Sequence, residues 1–309
     1  MTRQLAIATA IASLAATAAN AQVIFSDTEG DAANFTQTIY APNGDDTYIE
    51  YGFDYSAMGS SRLSAPIGVP NPGDSPTGIL IAANVAGLGE DSGVNLFPII
   101  APQSGYYVLE FDAWAGVNGG GGTTEMIMAG AQTSGTQVNI DAGSTDARDG
   151  DWFEQTTEGG ITSDFITFTA RGGTQVAEDF LRNTAGTPEL PTAMPSPPYA
   201  VEGAPGERWT NYKVVATPTS TSFYINDVFI ADLLDTDYTS GLPMLGYSDI
   251  FASVAGGDSP LVADGTSTFD PFAASFVIFD NITVTIPEPS SALLGLAGVA
   301  GLGLRRRNG

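Results

Sequence analysis

The chain has 309 residues, with 35 acidic against 10 basic side chains and neither histidine nor cysteine. The absence of both residues excludes Ser-His-Asp and Cys-His catalysis, disulfides, and zinc, copper or haem sites that depend on His or Cys ligands. A formal net charge of −25 opposes nucleic-acid binding because phosphates are repelled, whereas the remaining oxygen ligands suit calcium.

The N-terminus has the pattern of a secretory signal peptide. Arg3 is followed by an apolar stretch over residues 5–19, and Ala19-Asn20-Ala21 fits the small-x-small cleavage rule. We expect residues 1–21 to form a signal helix that directs the chain to a Sec-type export machinery. Removal of this segment would leave a mature chain that begins at Gln22.

The body, residues 22–286, shows short β-like runs separated by Gly, Asn, Asp and Pro. The predicted strands are residues 106–114, 161–169, 212–216, 222–225, 228–230 and 276–284. Asn226-Asp227 predicts a tight turn between two of them. Many short strands with Gly-rich turns and almost no helix favour a single all-β domain, a jelly-roll sandwich of two antiparallel sheets.

Residues 184–207 contain six prolines and few large apolar residues. Prolines at this density favour an extended, polyproline-like backbone. We interpret the segment as a surface excursion between two strands, with an interdomain linker as the alternative.

Glu110 and Asp112 lie at alternate positions of the strand predicted at 106–114, so their side chains would share one face. The segment resembles concanavalin A-like glycosidases that cleave β-glucans, which carry acids on one strand as Glu-x-Asp-x-x-Glu. A retaining glycosidase needs two carboxylates about 5–5.5 Å apart. Ala115 stands where that family carries its acid/base Glu. We therefore predict a non-catalytic protein, with a glycoside hydrolase that uses Glu110 and Asp112 as the alternative.

The last 23 residues, 287–309, have three consecutive parts. Pro287-Glu288-Pro289 comes first, an apolar run over residues 290–304 follows, and Arg305, Arg306 and Arg307 come near the end. A helix over the apolar run would be about 22 Å long, shorter than the roughly 30 Å hydrocarbon core. The arginines would hold its end on the cytoplasmic side of the membrane.

This order of parts resembles the PEP-CTERM sorting signal of Gram-negative bacteria. The resemblance implies recognition by an exosortase, transient membrane association through a short transmembrane helix, and delivery to the cell surface or extracellular matrix. A plain C-terminal anchor and a buried helix are the alternatives, but neither explains Pro287-Glu288-Pro289 together with three arginines.

The body also carries a spaced series of motifs that resembles exported PEP-CTERM surface proteins of planctomycete-like bacteria. The series includes Phe53-Asp54-Tyr55-Ser56, Phe111-Asp112-Ala113-Trp114 and Phe279-Asp280-Asn281-Ile282. Residues 209–230 are similar to the late hairpin of laminin-G-type sandwiches. These resemblances imply a concanavalin A-like or galactose-binding-like jelly roll. We therefore expect a structural or glycan-binding protein whose partners include exopolysaccharide or other glycans.

Jelly-roll carbohydrate-binding modules often hold a structural calcium ion between the first strand and the last. This resemblance implies Glu29, in the acidic segment 27–31, and Asp280 as calcium ligands. An alternative role for Asp280 is to orient the last strand.

Trp114, Trp152 and Trp209 are candidate glycan-binding residues, because a pyranose ring packs its C–H face on an exposed aromatic ring. Large aromatic side chains in β-sandwiches belong to the core more often than to a ligand site. Each of the three therefore has a core position as its alternative.

Overall fold

The computed structural model describes residues 21–42, 46–58, 67–86, 91–117, 125–140, 148–157, 165–171, 174–181, 189–234, 240–250 and 275–287. Residues 1–20 of the predicted signal helix and the whole of the predicted C-terminal apolar helix lie outside these residues. Val23–Ile286 form one compact unit, to which Met1–Gln22 and Pro287–Gly309 do not belong. Within the ranges given, no helix is long and apolar enough to cross a membrane.

Two antiparallel sheets make up the compact unit. Their strands are β1 (Gln22–Asp27), β2 (Phe35–Tyr40), β3 (Thr47–Asp54), β4 (Thr77–Ala83), β5 (Ser92–Pro98), β6 (Tyr107–Gly116), β7 (Glu125–Thr133), β8 (Gly150–Thr156), β9 (Phe165–Arg171), β10 (Thr174–Leu181), β11 (Trp209–Thr217), β12 (Ser220–Ile225), β13 (Val228–Leu234), β14 (Leu242–Asp249) and β15 (Phe276–Ile286). The larger sheet has the order β13-β12-β11-β6-β15-β4-β3, with β1 also paired to β15. The smaller sheet has the order β10-β9-β8-β7-β14-β5-β2. This arrangement confirms the predicted all-β jelly-roll sandwich.

Alternation of side chains along β6 explains how one strand serves both the core and a surface. Leu109, Phe111 and Ala113 are fully buried in the main core between the sheets. Glu110 and Asp112 point to the opposite, outer face of the larger sheet, as a period of two requires. The sequence prediction that these two carboxylates share a face is therefore confirmed.

The hairpin between β12 and β13 also follows the prediction. Asn226 and Asp227 form its turn, and both adopt left-handed φ angles of 48° and 63°. Two consecutive left-handed residues define the type I′ turn, whose twist matches that of the paired strands.

A second apolar cluster covers part of the outer face of the larger sheet. Leu80, Trp114 and Ile278 supply its sheet side. Tyr55 and Met58, from the segment between β3 and β4, pack on top of them. This segment starts with a 3₁₀ turn at Tyr55–Ala57, and its later residues Pro70 and Asn71 line a pocket on the same face.

The segment before β11 differs from the predicted polyproline-like excursion. Its described part, residues 189–207, starts with a short helix, α1 (Glu189–Ala193), and buries Leu190, Met194 and Tyr199 in the main core. Leu190 and Met194 are four residues apart and therefore lie on the same side of a helical turn, where the Met194 amide donates to the Leu190 carbonyl at 2.8 Å. A few large side chains thus tie a proline-rich segment to the sandwich.

Candidate functional site

A pocket of 630 Å³ lies on the open part of the outer face of the larger sheet. Its volume falls within the roughly 300–1,000 Å³ of typical ligand sites. The lining residues are Pro70, Asn71, Glu110, Asp112, Trp209, Asn211, Asn226, Asp227, Asn281 and Thr283. Three adjacent strands, β11, β6 and β15, supply most of them, so the floor of the pocket is held by sheet hydrogen bonds.

A β-bulge in β15 shapes one side of the pocket. The pairing of β15 with β6 shifts register between Asp280 and Thr283, and Asn281 adopts a left-handed φ of 51°. A bulge adds one residue to a strand and re-aims its side chain. Ile282 consequently stays in the main core, while consecutive residues Asp280 and Asn281 both direct their side chains to the outer face.

Asp112 is the centre of a hydrogen-bond network at the pocket floor. Its Oδ1 accepts from Asn211 Nδ2 at 3.1 Å, and its Oδ2 accepts from Asn281 Nδ2 at 3.0 Å. The same Asn281 nitrogen donates to Asp74 Oδ2 at 3.0 Å, so the two carboxylates lie within about 6 Å of each other. Burial raises the pKa of Asp112 and the Asp74 charge adds to that effect, whereas the two amide hydrogen bonds oppose it.

Asp280 forms a second buried carboxylate beside the first. Tyr55 donates its hydroxyl to Asp280 Oδ2 at 2.7 Å, and the Asn281 backbone amide donates to Oδ1 at 2.6 Å. The pKa of Asp280 is raised from 3.8 to about 6, mainly by burial; the two hydrogen bonds oppose this rise, and the nearby Asp112 and Asp74 charges contribute to it. Burial also raises the pKa of Tyr55 far above its ordinary value, so this hydroxyl remains a donor.

Trp209 supplies the aromatic wall of the pocket. Its ring lies 5.3 Å from the Tyr55 ring at an angle of 59°, and its Nε1 donates to the Gly68 carbonyl. These two contacts fix the orientation of a partly buried ring that lines the pocket.

The other two predicted glycan-binding tryptophans lie elsewhere. Trp114 is buried in the cluster under the β3–β4 segment, 5.7 Å from the Phe276 ring. Trp152 is fully buried on the outer side of the smaller sheet, where it stacks on Phe168 at 5.1 Å and donates to Glu154 Oε1 at 3.0 Å. Neither ring is available to a ligand in this structure, which leaves Trp209.

The predicted calcium ligands, Glu29 and Asp280, each have protein partners. Glu29 Oε2 accepts from Thr77 Oγ1 at 2.6 Å, and Asp280 is held by Tyr55 and Asn281 as described. In the part of the chain that the structure describes, no three acidic side chains are grouped to hold a metal ion. A calcium ion takes six to eight oxygen ligands, of which Glu29 and Asp280 together could supply at most four. Calcium at these residues stays a prediction.

Sequence reasoning missed the side chains that organise the pocket: Tyr55, Asp74, Asn211 and Asn281. Only Asn281 had a visible signal. Asp280-Asn281 places two residues that strands disfavour inside a strongly apolar run, which is the pattern of a bulge. Tyr55, Asp74 and Asn211 reach the pocket only through the order of the strands and the fold of the β3–β4 segment, which local sequence does not reveal.

Comparison with solved structures finds similar β-sandwiches at low identity. A Bacillus subtilis protein of unknown function with a galectin-like fold is 9% identical, with 86% of this chain and 97% of that chain covered and a TM-score of 0.43. A Bacillus licheniformis β-glucanase is 10% identical, with coverages of 86% and 99% and a TM-score of 0.41. The Emp46p carbohydrate recognition domain is 8% identical, with coverages of 85% and 92% and a TM-score of 0.41.

A search of the curated proteins finds no match to the chain. Residues 285–307 match the PEP-CTERM protein-sorting motif, and this match contains the predicted residues Pro287, Glu288, Pro289 and the arginines 305–307. Of the six, Pro287 is the one within the described ranges. The chain therefore carries a PEP-CTERM sorting signal, which marks an exported protein that an exosortase sorts.

Proposed function

We propose that the sandwich is a non-catalytic glycan-binding domain of the cell surface or extracellular matrix, and that it binds sugars in the pocket between Trp209 and Asp112. One observation carries the proposal: a fixed aromatic ring stands beside a floor of carboxylate and amide groups in a pocket of ligand size. Sugar rings offer an apolar C–H face and a rim of hydroxyl groups. The pocket matches both, with Trp209 for the face and the polar floor for the rim.

The state of Asp112 favours binding over glycoside hydrolysis. Both of its oxygens accept hydrogen bonds from asparagine side chains, and the residue is only 9% exposed. A nucleophile must present an oxygen to the anomeric carbon, whereas an oxygen held by an amide is better suited to orienting a neighbouring group. Ala115, at the position where the β-glucan glycosidases carry their acid/base Glu, has no carboxylate and is fully buried.

A glycoside hydrolase that uses Glu110 and Asp112 is the second candidate. One observation favours it: burial raises the pKa of Asp112, as a general acid requires. Release of reducing ends from a bound glycan, lost in both Glu110→Gln and Asp112→Asn, would establish this alternative.

A glycan array probed with the full chain, in calcium and in EDTA, tests the proposal. We expect the wild type to retain a subset of glycans, and Trp209→Ala to weaken their binding at least about tenfold because the stacking surface is lost. Tyr106→Ala is the matched control, since Tyr106 is an exposed aromatic residue outside the pocket. An array on which the wild type binds nothing, or on which Trp209→Ala binds like wild type, would refute this function.

A further inference from the structure

We infer that the pocket selects glycans with free amino groups, such as glucosamine oligomers, over N-acetylated or acidic ones. This inference rests on the proposed glycan-binding function and concerns the same site. Three independent properties of the pocket lead to it: its charge, the use of its hydrogen-bond donors, and its aromatic wall.

The pocket is negatively charged. Glu110, Asp112 and Asp227 line it, and a further carboxylate, Asp74, lies behind Asn281. A nearby cation, Lys213, pairs across the strands with Glu110 and forms an ion pair with Asp227, so the charges of Lys213 and Asp227 offset each other and the remaining carboxylates give the pocket its negative charge. Carboxylates confined in a partly desolvated site attract cations and repel anions more strongly than they would in water. Uronic acids and sulfated sugars are therefore excluded.

The side-chain amide donors on β11 and β15, under the pocket, are already used by the protein. Asn281 Nδ2 donates to Asp74 and Asp112, and Asn211 Nδ2 donates to Asp112 and to the Phe111 carbonyl. An amide nitrogen carries two hydrogens, so each of these asparagines has an oxygen left to offer and no hydrogen. Because an ionised carboxylate can only accept hydrogen bonds, the Nδ2 atom of both asparagines must face the carboxylates.

Asn226, in the turn after β12, has also used its side-chain donors, and its Oδ1 accepts from the Asn211 backbone amide at 3.1 Å. Asn226 Nδ2 donates to the Ala193 carbonyl and to the Tyr199 hydroxyl, each at 2.9 Å. The indole N–H of Trp209 is likewise used by Gly68, and the Thr283 hydroxyl donates to the Glu110 carbonyl at 3.5 Å. The floor built by β6, β11 and β15 therefore offers a ligand mainly acceptors, whereas Asn71 lines the pocket from the segment between β3 and β4, outside this floor.

An acceptor-rich, acidic site matches a ligand that brings donors. An ammonium group has three N–H donors and no acceptor, and its hydrogen bonds to carboxylates are charge-assisted. An N-acetyl group brings a carbonyl that finds no donor on the floor, which costs the desolvation of that oxygen. The face of Trp209 adds a cation–π contact for an ammonium group nearby.

Isothermal titration calorimetry with the full chain tests the inference. The probes are tetramers of glucosamine, N-acetylglucosamine and galacturonate at about pH 6, below the pKa of an amine. We expect the glucosamine tetramer to bind at least about tenfold tighter than the N-acetylated one, and galacturonate to give no measurable heat. In Glu110→Gln the tenfold preference for the glucosamine tetramer should fall to about twofold, because the pocket loses the negative charge of Glu110 while the side-chain shape is kept.

Asp232→Asn is the matched control for that variant. Asp232 is exposed on β13, pairs with Ser222 on the same sheet, and lies outside the pocket, so its substitution should leave the preference at about tenfold. Tight binding of the N-acetylated or acidic tetramer that Trp209→Ala abolishes would overturn amine selection and leave glycan binding intact. Binding of no tetramer would overturn both, and an unchanged preference in Glu110→Gln would overturn amine selection.

Discussion

Substitution of the buried acid Asp280 by asparagine should stabilise the protein, and only at neutral and higher pH. Asparagine has the same shape, its oxygen can still accept from the Asn281 amide, and its Nδ2 can donate to the Tyr55 hydroxyl. Tyr55 then keeps an acceptor of its own in the Ser75 carbonyl at 3.3 Å. The substitution therefore removes a buried charge without leaving a buried donor unpaired.

The sign and size of the effect follow from the pKa of Asp280. The folded-state pKa of about 6 lies above the ordinary value of 3.8, so the folded state binds the proton more tightly than the unfolded state does. Stability is consequently lost as pH rises from about 4 to about 6 and stays low above that range. The full shift corresponds to about 3 kcal/mol, which solvent in the adjacent pocket screens to about 1–2 kcal/mol.

Urea unfolding of wild type and Asp280→Asn at about pH 4 and pH 8 measures this effect. The difference in free energy of unfolding between the variant and wild type should be about 1–2 kcal/mol more in favour of the variant at pH 8 than at pH 4. A gain that is equal at both, or a loss at pH 8, would refute the reasoning. A calcium ion on Asp280 predicts the opposite outcome: EDTA would lower the wild-type Tm, and Asp280→Asn would be destabilised in calcium buffer.

Three further predictions concern the same face and the core. Tyr55→Phe removes a hydroxyl that donates to buried Asp280, so it should lower the free energy of unfolding by about 1.5–3 kcal/mol, more at pH 8 than at pH 4. Asn281→Gly keeps the left-handed backbone but loses the side-chain amide between Asp112 and Asp74, which should lower the free energy of unfolding by about 2 kcal/mol. Asn281→Ala should lower it by about 1 kcal/mol more, because alanine is strained at a positive φ. Equal losses in the two variants would contradict the role of the bulge. Trp152→Ala should lower the free energy of unfolding by about 3–5 kcal/mol and leave glycan affinity unchanged, because this ring is buried in the apolar cluster on the outer side of the smaller sheet. Weaker glycan binding by the folded variant would contradict our placement of the site.

The strands and one turn could be predicted because their signals are local. Alternation along β6 identifies Leu109 and Phe111 as core residues and puts Glu110 and Asp112 on the other face. The left-handed pair at Asn226-Asp227 follows from residue types that tolerate a positive φ. Each of these predictions needs no knowledge of which strands become neighbours.

The pocket could not be predicted because it depends on contacts between distant parts of the chain. Tyr55 and Asp280 are 225 residues apart, and Asp112 obtains its two amide partners from strands on either side of β6. Local sequence also cannot separate Asp112 from Trp114. Both point to the outer face of β6, yet Trp114 lies in an apolar cluster with Tyr55 and Met58 whereas Asp112 lines the polar pocket.

The last strand, β15, runs directly into the sorting signal, so a force on the signal would act on the sheet. The matched motif begins at residue 285, and β15 ends at Ile286, so the fold and the signal share two residues. Val284 is fully buried and Thr285 pairs with Val108. Processing upstream of Pro287 would cut into a strand that is hydrogen-bonded along its length to β6 and also to β4 and β1. Tension on an attachment made at the signal would load those ladders in shear, with many hydrogen bonds sharing the force instead of opening one after another.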